Sequence, residues 1–169
     1  MWRHYTYFTN AVLPVAEEAG VKLALHPDDP PVESLGGIAR LFRNLDGFRR
    51  AMEDVAPSPM HGLDFCMGCW SEMGGALEPM KYFAERGKVF YVHFRDVKGV
   101  VPRFQECFLG EGNTNVVDAM LTLKRAGFTG FMIDDHVPRM VDDSDWHHRG
   151  RALATGYMLG LLAAVNQLT

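Results

Sequence analysis

Two histidines, a cysteine and an Asp-His pair stand at the ends of four apolar runs in this chain. "VKLALHPDDPP" leaves its run at His26, "MHGLDFC" ends at Cys66, "KVFYVHF" carries His93, and "FTGFMIDDH" closes on Asp135 and His136. Imidazole, thiolate and carboxylate are the lone-pair donors that can replace the hydration of a divalent cation. Cys66 and Asp135 would bring negative charge, and the histidines would bind neutral. A cation there would hold the Cys66 thiol deprotonated. The donor set leaves the metal open, because a thiolate favours zinc or iron and a carboxylate suits manganese or magnesium. Each residue also has an ordinary role available, the histidines as hydrogen-bonded structural groups and the cysteine as a small hydrophobe. It is their recurrence at one end of successive strands that points to a shared centre.

The elements that must position them alternate. Helical patterns run over 5–19, 45–55, 76–86, 116–126 and 149–166, with Gly20, Gly87 and Gly127 as stop signals. Between them lie four apolar stretches, 21–26, 60–66, 88–94 and 128–136, the third rich in β-branched and aromatic residues. Strand-helix alternation predicts right-handed βαβ crossovers and a parallel sheet covered by helices. Near-continuous apolar strands predict burial on both faces. In such folds the carboxyl ends of the strands form the edge where ligands bind.

Composition narrows the classes. The chain has 169 residues, a net charge of -4, 47% hydrophobic and 22% charged residues. This is globular composition at the size of one domain, 1–169. The mild acidity and the lack of a basic run exclude nucleic acid and anionic lipid as expected partners. No apolar stretch reaches the roughly 18 residues of a membrane span. The opening "MWRHYTYFTN" lacks the apolar core of a signal peptide, and three cysteines give no disulfide framework, so the cytoplasm is the expected compartment.

"HPDDPP" followed by "LGGIAR", then "GLDFCMGC", "VHFRDV" and "DDH", in this order, resemble the mannonate dehydratase family of xylose-isomerase-like TIM barrels. The resemblance extends from "YFTNAVLPVAEEAG" to the terminal "RALATGYMLGLLAA". It implies an α/β fold of parallel (β/α) units forming half of a TIM barrel, equivalent to strands 5–8. It also implies a hydro-lyase converting D-mannonate to 2-dehydro-3-deoxy-D-gluconate, with manganese as the usual metal. By motif, His26, Cys66, His93 and Asp135 would be the ligands and His136 the proton-transfer residue. Arg95, two residues past His93 and so on the same strand face, would hold the sugar carboxylate in a bidentate pair. Asp28, Asp29 and Arg40 match the family's loop and would touch substrate or merely order that loop, with Asp28 as an Asx-turn residue before Pro30 an equal alternative. Glu106 matches an acidic loop residue that would bind substrate or simply be an exposed glutamate. The chemistry is consistent: a Lewis acid stabilises enediolate charge, and a histidine exchanges protons near neutral pH.

Two features depart from that pattern, and one motif invites a further reading. A complete barrel takes about 250 residues and eight strand units, so this chain has the size of a fragment. Two copies of it, a homo-oligomer, or a second polypeptide carrying the missing half would complete the barrel. After the Asp-His pair the family has glycine and then a Pro-Gly-Tyr turn, whereas Val137 and, near the tyrosine, Trp146 stand here. Indole exchanges no proton at useful pH. His147 or His148 would then substitute, unless the pair simply forms a solvated helix start. This leaves room for a xylose-isomerase-like isomerase or epimerase, or for an inactive metal-binding half-barrel that needs a partner. Finally, "CMGC" reads as a CxxC pair. A redox pair opens a helix while Cys66 closes a strand, and Cys107 alone cannot complete a zinc ribbon.

Overall fold

The computed structural model describes residues 1–168. Helix α1 (Trp2–Ala19) ends on Gly20, whose left-handed backbone (φ 67°) lets the next residue return a hydrogen bond into the last turn. It leads into β1 (Leu23–Leu25) and the small antiparallel pair β2 (Ser34–Leu35) and β3 (Ile38–Ala39). Helix α2 (Leu45–Arg49), capped by the Asn44 side chain, runs into a π-helical turn over Arg50–Val55. Then come β4 (His61–Cys66), α3 (Met67–Glu72), α4 (Leu77–Ala84) and β5 (Val89–His93). A hairpin of β6 (Asp96–Val100) and β7 (Arg103–Cys107) precedes α5 (Val116–Arg125), β8 (Phe131–Ile133) and α6 (His148–Leu168).

The main sheet has the order β1-β4-β5-β8, with every neighbouring pair parallel. This is the predicted alternation, and it is half of a TIM barrel. The registers Cys66↔His93 and His93↔Ile133 bring the strand ends to one level. Strand alternation then sorts the side chains. Leu63, Phe65, Val92 and Phe94 join the core beneath the helices, where Phe65 stacks on Trp70 and Phe48 packs against the same indole at 4.8 Å. The residues between them, Asp64, Cys66, Tyr91 and His93, face the opposite, concave side.

Four sequence expectations are corrected. Burial on both faces holds for β4 but not for the edge strands: Phe131 on β8 is 80% exposed. The two edge strands of a half-barrel each lack a neighbour on one side, and these carry the exposure. The fourth strand stops at Ile133, so Asp135 and His136 lie in the following loop. Arg95 is not on β5 either, but in the link to β6. Helix α3 and the β6–β7 hairpin were not expected. Among the described residues no helix is long and apolar enough to cross a membrane.

Strand β4 begins on a buried histidine. His61 Nδ1 lies 2.9 Å from the Ala56 carbonyl oxygen and Nε2 lies 2.8 Å from the Tyr5 hydroxyl. Burial, reinforced by the nearby Lys88 ammonium, holds this imidazole below its ordinary 6.5. A depressed folded value means that the stabilising contribution is complete above 6.5 and is lost as pH falls through the folded value. Thermal melting of the metal-free protein should therefore lose stability on acidification more steeply than a His61→Gln variant does. Parallel curves for the two proteins would contradict the assignment.

Candidate metal centre

The four predicted ligands come together. One donor atom from each of His26, Cys66, His93 and Asp135 lies within 4.8 Å of every other. Each arrives from a different strand end. His26 follows β1 and turns its Nδ1 to the Pro27 carbonyl oxygen at 2.7 Å, which leaves Nε2 for the cluster. Its ring centroid is 5.1 Å from that of His93. Cys66 ends β4, and its sulfur lies 3.9 Å from Asp135 Oδ2.

Asp135 reaches the cluster through an uncommon backbone. Its φ is 56°, a left-handed conformation that costs on the order of 1–3 kcal/mol for a non-glycine residue and so needs surrounding structure to hold it. Arg151 on α6 supplies that hold, donating from Nη1 to Asp134 Oδ1 at 2.9 Å and to the Asp135 carbonyl at 3.2 Å. The strain is spent on aiming one carboxylate inward.

His93 makes the strongest case for a cation. Its Nε2 lies 3.2 Å from Asp64 Oδ2, a contact that orients the ring. A carboxylate behind a histidine is the usual outer partner of a metal ligand. Its Nδ1 is buried, 3.3 Å from Asp135 Oδ2, and makes no hydrogen bond. A cation among these donors would satisfy that orphaned nitrogen, so the residues present fit a divalent metal.

Electrostatics describe the same cluster. Burial acts to lower His93, but Asp135, Cys66 and Asp64 outweigh it and raise the imidazole to about 10. Burial likewise opposes a rise at His26, and Cys66 overcomes it. Cys66 is pulled well down, first by its contact with Cys69 and then by the two imidazoles. Asp135 resists the upward push of burial through His93 and sits below its ordinary value. The upward direction at both imidazoles means that positive charge is favoured where a cation's charge would be.

Beside the cluster lies a second assembly built on Arg95, whose side chain is 1% exposed. Its Nε lies 3.0 Å from both Glu106 oxygens, and Nη2 also contacts Glu106. Nη2 binds Glu72 Oε1 at 2.9 Å and Nη1 binds Asp29 Oδ2 at 2.8 Å. The expected free fork for a sugar carboxylate is thus already engaged by three carboxylates of the chain. The guanidinium stem runs over Gly68, where an added Cβ would lie 2.6 Å from Arg95 Cδ, so only glycine fits there.

His136 bridges the two assemblies. Nδ1 is 3.2 Å from Glu106 Oε1, Nε2 is 3.9 Å from Asp135 Oδ1, and the side chain is 49% exposed. The Glu106 contact is the main reason its imidazole is raised above 6.5. Asp28 and Arg40 pair with each other at 2.7 Å, and Asp28 also accepts from the Phe42 amide. That fastens the loop to Phe42 instead of forming an Asx turn.

His147 and His148 make local contacts. His147 Nδ1 meets the Val137 carbonyl oxygen at 3.1 Å, and His148 Nδ1 meets Ser144 Oγ at 2.8 Å. Trp146 points out, 75% exposed. Sequence reasoning missed Asp64 and Glu72. Strand parity could have found Asp64, two residues before Cys66, whereas Glu72 depends on α3, which carried no clear signal.

The match to known proteins covers the same span. The family model for D-mannonate dehydratase (UxuA) matches residues 1–169. Mannonate dehydratase 2 of Halalkalibacterium halodurans is 36% identical over 98% of this chain and 50% of that protein. The Thermotoga maritima mannonate dehydratase is 30% identical over 99% of this chain and 48% of its own length. The chain thus spans about half the length of the relatives it matches. Among solved structures, the mannonate dehydratase from Streptococcus suis serotype 2 superposes with a TM-score of 0.92 at 28% identity, over 99% of this chain and 50% of that one. A D-tagatose 3-epimerase-like protein shares the fold at a TM-score of 0.70 and 19% identity, over 96% of this chain and 54% of that one. With its full length matched by the family model, the chain belongs to the D-mannonate dehydratase family.

Proposed function

We propose that this chain is the metal-binding half of a dehydratase that converts D-mannonate to 2-dehydro-3-deoxy-D-gluconate and water. The convergence of His26, Cys66, His93 and Asp135 at the carboxyl ends of four parallel strands carries this reading. Manganese is the proposed ion, with iron, zinc and magnesium as alternatives the same donors accept. When bound it supplies a Lewis acid for the charge that develops beside the substrate carboxylate. The chain's own groups do the rest. Asp64 orients His93, and Arg151 holds the Asp134–Asp135 turn. His136, anchored at Nδ1 by Glu106, presents Nε2 toward the Asp135 side and moves the proton between substrate carbon and departing hydroxyl. Trp146 cannot share that work.

Arg95 positions Glu106, Glu72 and Asp29 and thereby the floor of the site. Asp29, Arg40 and Asp28 order the loop that follows His26. The unpaired edges of β1 and β8, with Phe131 exposed, favour completion of the barrel by a second half, either another copy or a separate polypeptide.

Incubation of the manganese-loaded protein with a panel of aldonates tests the reading. Ketodeoxy acid formed from mannonate, and absent from the chelated sample, is the expected result. An isomerised sugar instead would overturn it in favour of an isomerase or epimerase, the reading that Trp146 near the family's tyrosine position supports. Sizing of the active sample should show an assembly larger than one chain.

A further inference from the structure

Cys66 and Cys69 form a pair that the proposed reaction does not use. Cys66 both ends β4 and is the residue on which α3 begins, so the reason for setting "CMGC" aside does not hold. Positions i and i+3 at the start of a helical turn are neighbours. The two sulfurs lie 3.2 Å apart, and closing them to a bond of ~2.05 Å asks for only about 1 Å of movement. Both cysteines are buried and reduced. Arg95 Nη1 lies 3.7 Å from one sulfur and 3.6 Å from the other, placing positive charge beside whichever sulfur attacks. Cys107 is far from this pair in the chain and shares no sulfur contact with it among the described residues.

We propose that Cys66–Cys69 is a thiol-disulfide site oxidised by hydrogen peroxide when the centre is empty of metal, and that oxidation withdraws Cys66 from the ligand set. The Cys66 sulfur attacks one peroxide oxygen, the O–O bond breaks, and water leaves as a sulfenic acid forms. The Cys69 sulfur then attacks that sulfur and releases a second water. Two thiols and one peroxide give one disulfide and two waters: sulfur is oxidised and peroxide oxygen reduced. A bound ion occupies the Cys66 lone pair and blocks the first step. A disulfide sulfur carries no negative charge and is a poor ligand, so the oxidised chain loses a donor. The proposal rests on the metal reading of the centre.

The test uses the intact protein, manganese-loaded or chelated, exposed to peroxide and then alkylated and mapped by mass spectrometry. Metal content is measured on the same samples. In the chelated protein both Cys66 and Cys69 should escape alkylation, and dithiothreitol should restore them. The loaded protein should keep its thiols. The oxidised protein should fail to take up manganese until it is reduced. Cys69→Ser should bind manganese and form no intramolecular disulfide. A reduced protein that binds manganese, yet keeps both thiols under peroxide after chelation, would overturn the disulfide. So would an oxidised protein with full manganese content. A reduced protein without manganese affinity would instead overturn the metal reading on which the proposal stands.

Discussion

His93→Ala should lower manganese affinity by on the order of a hundredfold or more, a larger loss than the 10–100-fold that removing an outer partner of a metal ligand costs. The variant removes the donor whose Nδ1 is buried and without a hydrogen bond. It leaves Cys66 and Asp135 facing each other with less positive charge between them. The scaffold should survive: His93 is the last residue of β5, and its contacts are with Tyr91, His26, Asp64, Cys66 and Asp135. Metal content after dialysis against limiting manganese measures the effect. His4→Ala, on the exposed face of α1, is the matched control and should keep full content. Equal manganese in both variants would remove His93 from the ligand set. Asp64→Asn should fall between them, because it loosens the ring without removing the donor.

Arg95→Met should destabilise the protein by about 3 kcal/mol, the low end of the 3–5 kcal/mol expected when one partner of a buried ion pair is removed. Glu72 is fully buried and loses its counter-charge, while Glu106 and Asp29 are about a third exposed and recover some hydration. The low end applies because burial and Asp29 already raise the Glu72 carboxyl to about 7, so it takes up a proton readily once the guanidinium is gone. For a domain of this length the loss corresponds to a melting temperature lower by about 6–12 °C. Arg95→Lys should recover only part of it, because an ammonium cannot span three carboxylates as a planar fork does. A melting curve for Arg95→Met that overlays the parent would show that the carboxylates find other partners.

The convergence of the candidate ligands was legible from the chain because two patterns coincide. Apolar runs mark the strands, and parallel strands put their carboxyl ends on one edge, so His26, Cys66 and His93 could be read together from positions far apart. The approach of Asp135 was legible only in part. Its presence in "DDH" is visible, but its left-handed backbone and the Arg151 clamp from α6 are tertiary facts that no local pattern encodes. Arg95 shows the opposite failure. Extending strand parity past His93 treated it as part of β5, yet the chain leaves the sheet there and turns into the β6–β7 hairpin. That turn carried its own signal in the alternation of "DVKGVVPRFQEC" around Pro102. The partners of Arg95 come from the loop after β1, from α3 and from β7. A substrate fork and a structural hub look alike in sequence, since both need an arginine beside the site, and only the count of carboxylates around it separates them.

Anomalous diffraction from manganese-soaked crystals of this protein addresses the centre most directly. A manganese peak bonded to His26, Cys66, His93 and Asp135 together, with Asp64 behind His93, is the expected result. A manganese peak held by other residues, with those four side chains left unligated, would contradict it.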